Sequence, residues 1–179
     1  MPHRADPPAL VERRFDTATC ASHAVWSPCG AFRYVLHRRW GAGGCLLYIM
    51  LNPSKATEER NDPTIERCER RARRLGFGGF GVVNLFAFCA TRPRDLFAAD
   101  DPVGPANDVV LRDAARGADA VLCAWGTHGA RFGRDRAVIG LLADRPLTVL
   151  GLTRAGHPAH PLYLSYDLRP LPWQPGTLR

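Results

Sequence analysis

The sequence predicts an α/β fold built on a mostly parallel four-stranded sheet. Three observations lead there. Apolar runs of strand length recur at 45–51 (CLLYIML), 80–86 (FGVVNLF), 120–125 (AVLCAW) and 147–152 (LTVLGL). Segments of helical periodicity separate them. A strand joined through a helix to the next strand implies right-handed crossovers and parallel pairing.

The elements follow in order. Residues 1–22 read as a loosely ordered arm, and 23–179 as a single domain. Residues 31–40 (AFRYVLHRRW) alternate as a strand does, and Gly41, Gly43 and Gly44 signal a turn. The run 45–51 is apolar throughout, as expected of a strand buried on both faces, and it stops at Asn52-Pro53-Ser54. A polar loop leads to a helix over 63–75, with Asp62 as N-cap, Pro63 at the first helical position and Gly76 ending it. Ile65, Cys68, Ala72 and Leu75 share one face; Arg67, Arg70, Arg71, Arg73 and Arg74 fill much of the rest. The second strand carries Asn84 near its end. A long loop over 87–104, a helix over 106–116, the third strand ending at Trp125-Gly126, a helix over 129–143 and the fourth strand complete the pattern. The glycines of 76–81 (GFGGFG) resemble a dinucleotide loop, but they precede a strand instead of joining a strand to a helix, which excludes that reading.

Composition narrows the function classes. The 179 residues suit one domain with a sizeable core. No apolar run approaches the roughly 20 residues that span a bilayer, and residues 1–14 lack an apolar signal core, so a cytosolic protein without membrane contact is expected. The six cysteines are scattered with no C-x-x-C pair, which argues against zinc or an iron–sulfur cluster, and no cofactor is expected. The net charge is +7, and Lys55 is the only lysine. Arginine-borne charge fits phosphate binding, but also a GC-rich coding bias.

In parallel sheets, ligands bind beyond the carboxyl ends of the strands. Asn52, Asn84 and the pair His157 and His160 sit at three such exits, so amide and imidazole groups converge on one rim. Each has a plainer role open to it. Asn52 suits a turn, Asn84 could pin a loop, and Asp62 could serve only as a helix cap. Alternatively, Asn84 offers both donors and an acceptor to the edge of a base.

Two resemblances follow from these residues. From about 31 to 172 the chain resembles a bacterial domain family of unknown function, numbered 1643. The matching segments are Leu51-Asn52-Pro53-Ser54, Asn61-Asp62-Pro63-Thr64, Val83-Asn84-Leu85-Phe86 and His160-Pro161-Leu162-Tyr163-Leu164. The order of motifs also resembles the uracil-DNA glycosylase superfamily. Asn52-Pro53 is similar to its first motif, Asn84 to its uracil-reading asparagine, and Trp125-Gly126 to its strand-to-helix turn. His160 through Ser165 is similar to its final histidine motif. Met50-Leu51 replaces the glycine-rich start, and Leu162-Tyr163 stands where Ser-Pro is usual.

The second resemblance implies a three-layer α/β/α sandwich with a central mostly parallel four-stranded sheet and an N-terminal β-hairpin. It implies removal of uracil from single- or double-stranded DNA, as in base excision repair, by a monomer. Asn52, His160 and Asp62 would be catalytic: His160 donating to the departing base, Asn52 positioning water, and Asp62 an alternative water-activating group. Pro53, Ser54 and Asn84 would bind the base, with Phe86 or Phe88 stacking on it. Arg154, His157, Tyr163 and Leu164 would contact DNA, the last two filling the gap left by the base. Two other readings stay open: a non-catalytic nucleic-acid-binding module, and an enzyme acting on a free nucleoside or nucleotide.

Overall fold

A computed structural model describes residues 9–176. It contains eight strands: β1 (Val11–Arg14), β2 (Ala21–Trp26), β3 (Arg33–Arg39), β4 (Cys45–Met50), β5 (Gly79–Asn84), β6 (Ala120–Cys123), β7 (Leu147–Val149) and β8 (Leu171–Trp173). The α-helices are α1 (Pro63–Arg74), α2 (Pro93–Phe97), α3 (Asn107–Gly117) and α4 (Arg134–Leu141), and 3₁₀ turns occupy Thr127–Gly133 and Pro161–Tyr163.

All eight strands form one sheet in the order β1-β2-β3-β5-β4-β6-β7-β8. The four expected strands are there: β5, β4, β6 and β7 are neighbours and pair in parallel. The expected sheet of four is nevertheless too small. Antiparallel pairs β1/β2, β2/β3, β3/β5 and β7/β8 extend it on both sides, so the sheet is mixed and mostly antiparallel. The N-terminal hairpin is thus not a separate attachment, because β3 continues the ladder onto β5. Of the expected arm at 1–22, residues 1–8 lie outside the described residues, while Val11–Arg14 form the edge strand. Strand β8 escapes sequence reading because Pro170 and Pro172 punctuate it; an edge position tolerates proline.

Alternation along β4 and β5 divides the core. Leu47, Ile49 and Val83 pack with Leu111 and Ala115 of α3 and Val138 of α4. Leu46, Tyr48, Met50, Phe80 and Val82 pack with Ile65, Cys68 and Ala72 of α1. Helix α1 begins as its sequence dictates: Oδ1 of Asp62 accepts the Ile65 N–H at 2.9 Å, and Pro63 follows. The expected single helix over 129–143 is broken. Phe132 has φ +57°, a left-handed conformation that separates the 3₁₀ turn from α4. The loop over 87–104 holds the short α2. Gly78 owes its identity to close backbone packing, since a Cβ there would lie 2.3 Å from the Gly43 nitrogen.

The arginines of α1 do not form a free basic face. Arg71 is fully buried; its Nη1 donates to the Ser165 and Leu168 carbonyls at 2.9 and 3.2 Å, and its Nη2 to the Leu164 carbonyl at 3.1 Å. Arg67 donates to the same Leu164 carbonyl at 2.6 Å and lies 4.4 Å from the Tyr166 ring centre. Arg74 pairs with Asp167 at 3.1 Å. Arg70 pairs with Glu66 and Arg73 with Glu69, each at 2.7 Å, and Arg73 also stacks on Trp40. Helix α1 thus clamps the irregular segment that follows the 3₁₀ turn at Pro161.

Arg71→Leu would remove three hydrogen bonds and leave the Ser165 and Leu168 carbonyls without this donor, while Leu164 keeps Arg67, a loss of about 2–4 kcal/mol. We expect a lower urea midpoint and faster amide exchange confined first to 160–168. Unchanged exchange there would show that the clamp does not hold the segment.

Candidate functional site

A cleft of about 360 Å³ lies at the carboxyl ends of β4, β5 and β6. Its walls include five of the expected site residues: Asn52, Ser54, Asp62, Asn84 and His160. The parallel register accounts for this. Met50 stands opposite Asn84 and Ile49 opposite Cys123, so the chains leave the sheet at one level. His160 follows the exit of β7, which runs parallel to β6, and the Gly126 N–H donates to the Pro158 carbonyl at 2.8 Å, tying the two exits together.

Asn84 is the last residue of β5 and only 2% exposed. Its Nδ2 has no hydrogen-bond partner among the described residues. Burying an amide donor unpaired costs on the order of 1–3 kcal/mol, so Asn84 is an unmet hydrogen-bonding group on a residue of the cleft wall. Loop pinning here is done instead by Asn107, whose Nδ2 donates to the carbonyls of Asn84 and Leu85, both at 3.0 Å.

His160 caps the 3₁₀ turn: its Nδ1 accepts the Leu162 N–H at 3.3 Å. A ring nitrogen that accepts carries no proton in the neutral form, which puts the proton on Nε2. Burial pushes the His160 pKa below its ordinary value, with the Asp62 charge opposing. The ring is therefore neutral at pH 7 and retains one donor.

The other lining groups are more committed. Nδ2 of Asn52 donates to the Pro53 and Ala90 carbonyls at 2.8 and 2.7 Å, which fixes the turn and leaves Oδ1 available to the cleft. Asp62 accepts with both oxygens, from Ile65 N and from Ala56 N at 3.3 Å, so the capping role is observed. Ser54 is exposed at the rim.

Several expected residues stand elsewhere. Pro53 is buried beside the cleft, where its carbonyl accepts the Ala90 N–H at 3.0 Å. Neither expected stacking ring lines the cleft. Regular strand geometry ends at Asn84, so Phe86 does not alternate back toward the cleft but packs edge-on to Phe97 and Phe132. Phe88 packs edge-on to Phe32 at 5.8 Å. His157 lines a neighbouring cleft and lies 3.8 Å from Asp135, and Arg154 is exposed in the turn before it. Tyr163 is 90% exposed, whereas Leu164 packs against the α1 cluster and its carbonyl is held by Arg67 and Arg71.

Sequence reasoning missed Arg33, Trp125 and His128 as lining residues. Trp125 carried a motif signal through Trp125-Gly126. Its placement depends on Gly129, where a Cβ would sit 2.1 Å from the indole. Arg33 and His128 carried none.

The family described as protein of unknown function (DUF1643) has a sequence model that matches residues 33–162, more than half of the chain, and the chain belongs to that family. No curated protein and no solved structure matches it. No helix among the described residues is long and apolar enough to cross a membrane.

The geometry of His160 has a spectroscopic consequence. Its folded pKa lies below the unfolded value near 6.5, so the unfolded chain binds the proton first. Its neutral form then favours the fold fully above that value, and this advantage falls away as pH drops below it. We expect ¹H–¹⁵N correlation spectra to show an Nε2–H tautomer for His160 with a midpoint below 6.5. An Nδ1–H tautomer would contradict the site described here.

Proposed function

We propose that this member of the family hydrolyses the N-glycosidic bond of uracil in DNA. The observation that carries the reading is the pairing, in one cleft, of a buried asparagine with an unpaired amide donor and a neutral histidine with a free Nε2–H. Breaking an N-glycosidic bond leaves negative charge on the base and positive charge on the sugar. A donor preorganised toward the base oxygen stabilises the charge as it forms. Asn84 meets the base edge, and Oδ1 of Asn52 orients the attacking water. An amide cannot take a proton at neutral pH, and the carboxylate of Asp62 is already engaged by two backbone N–H groups. Rate enhancement therefore rests on positioning and electrostatics.

The two apolar clusters divided by β4 and β5 support reading the architecture as an α/β/α sandwich of the glycosylase kind. With Phe86 and Phe88 turned away, Trp125 and His128 are the rings available to the base. Tyr163, projecting from the 3₁₀ turn after His160, suits insertion into the duplex. Lys55 and Arg92, both exposed, adjoin the lining residues Ser54 and Thr91 and supply positive charge for phosphate.

One observation favours a second reading. Because Arg67, Arg71, Arg73 and Arg74 are tied up internally, the electrostatic case for a long DNA track is weaker, and a free deoxynucleoside would fit the same chemistry. Turnover on single- and double-stranded uracil DNA, beside deoxyuridine, separates the two.

Removing one donor aimed at a developing charge costs roughly 10²–10³ in rate. We expect His160→Ala to lose that much single-turnover uracil release with DNA affinity nearly kept, and His157→Ala to lose little. Asn84→Ala should remain folded yet lose most activity. Full release by a folded Asn84→Ala protein would overturn the assignment.

A further inference from the structure

We infer that Arg33 is a ligand-contacting residue, and that its guanidinium makes the cleft selective for oxo-bearing, readily ionised bases over amino-bearing ones. The inference rests on the reading of the cleft as a base pocket.

Arg33 opens β3, is 2% exposed and lines the same cleft as Asn84 and His160. Its Nη1 donates to the Ala56 carbonyl, while its Nε has no partner. Among the described residues it forms no ion pair. A buried, unpaired charge is among the most costly features a fold can retain. The groups facing it do not cancel it. Cys89, Asp62 and Glu58 favour the cation and Arg38 opposes it, and burial pushes the Cys89 thiol up, so it carries no charge at neutral pH. The Asp62 oxygens accept backbone N–H groups, and Glu58 accepts the Trp26 indole N–H at 3.3 Å. Burial lowers the Arg33 pKa to about 10, which leaves it charged at neutral pH.

The unpartnered donors on the lining residues thus include a guanidinium, the Nδ2 of Asn84, the indole N–H of Trp125 and the Nε2–H of His160. A ligand that satisfies them presents oxygen acceptors, and one that carries negative charge satisfies Arg33 best. A ring amino group would set donor against donor. Substrates of this pocket are thus dioxo bases, pyrimidine or purine, and the departing base anion gains from Arg33 as well as His160.

Calorimetric titration of the whole protein with uracil, cytosine and barbiturate tests this. Barbiturate is a pyrimidine trione that is anionic at neutral pH. A charge-assisted bond in place of a neutral one should make barbiturate about tenfold tighter than uracil, with cytosine much weaker than either. Arg33→Gln should abolish the barbiturate preference, and Arg33→Lys should restore part of it. Equal binding of uracil and barbiturate by the wild-type protein, or an undiminished preference in folded Arg33→Gln, would overturn the inference. The wild-type ratio decides the matter even if the glutamine variant does not fold. A barbiturate preference without uracil release from DNA would remove the glycosylase reading and leave the role of Arg33 standing. No binding of any of the three would remove both.

Discussion

A buried guanidinium in the last turn of α1 is the constraint on which the site depends. The segment after β7 is held by backbone bonds as far as Ala159, including the Leu152–Pro158 bridge, but from His160 to Arg169 it passes through turns with few backbone bonds of its own. Arg71 gives that stretch three hydrogen bonds from one rigid fork, and Arg67 and Arg74 add a fourth bond and an ion pair. A planar guanidinium reaches several carbonyls at once with little loss of side-chain freedom per bond, which a lysine could not do. His160 precedes the clamped residues by four positions, so its place over the cleft follows from α1 as much as from its own strand.

This use of arginine changes what the net charge means. A chain at +7 with an arginine-rich helix suggests a phosphate-binding face. Here the helix spends those charges on carbonyls, acidic neighbours and aromatic rings within the fold. Cations on an α1 face that is largely self-paired offer a weak attraction at physiological salt. The positive charge inside the cleft comes from a residue on a different element, Arg33, held where water screens it little.

The cleft itself is a set of mismatched hydrogen-bonding needs. Asn52 and Asp62 are satisfied by the backbone and give the walls their shape. Asn84 and Arg33 are not satisfied, and His160 holds one proton toward the cavity. Satisfied groups rigidify, and unsatisfied buried ones define what must come in. That division separates scaffold from reading head more clearly than residue type does.

Much of this was legible in the linear chain. The apolar runs marked the four central strands, Asp62-Pro63 marked the start of α1, and the polar residues that interrupt or follow the runs marked Asn52, Asn84 and His160 as rim residues. These are local signals: burial on both faces forces a continuous apolar run, and a helix end demands a cap. The flanking strands were harder because short, exposed strands such as β1 and β8 carry little apolar pattern. The fate of Phe86 and Phe88 turned on where β5 stops alternating, and Phe132 broke a helix whose periodicity looked continuous. Above all, whether an arginine faces solvent, a carbonyl or a cleft is invisible in sequence, since its neighbours come from segments some 20 to 100 positions away. The chain determined which residues reach the rim; only packing decided which of their polar atoms were left without partners, because a hydrogen bond is spent or free only once every neighbour is in place.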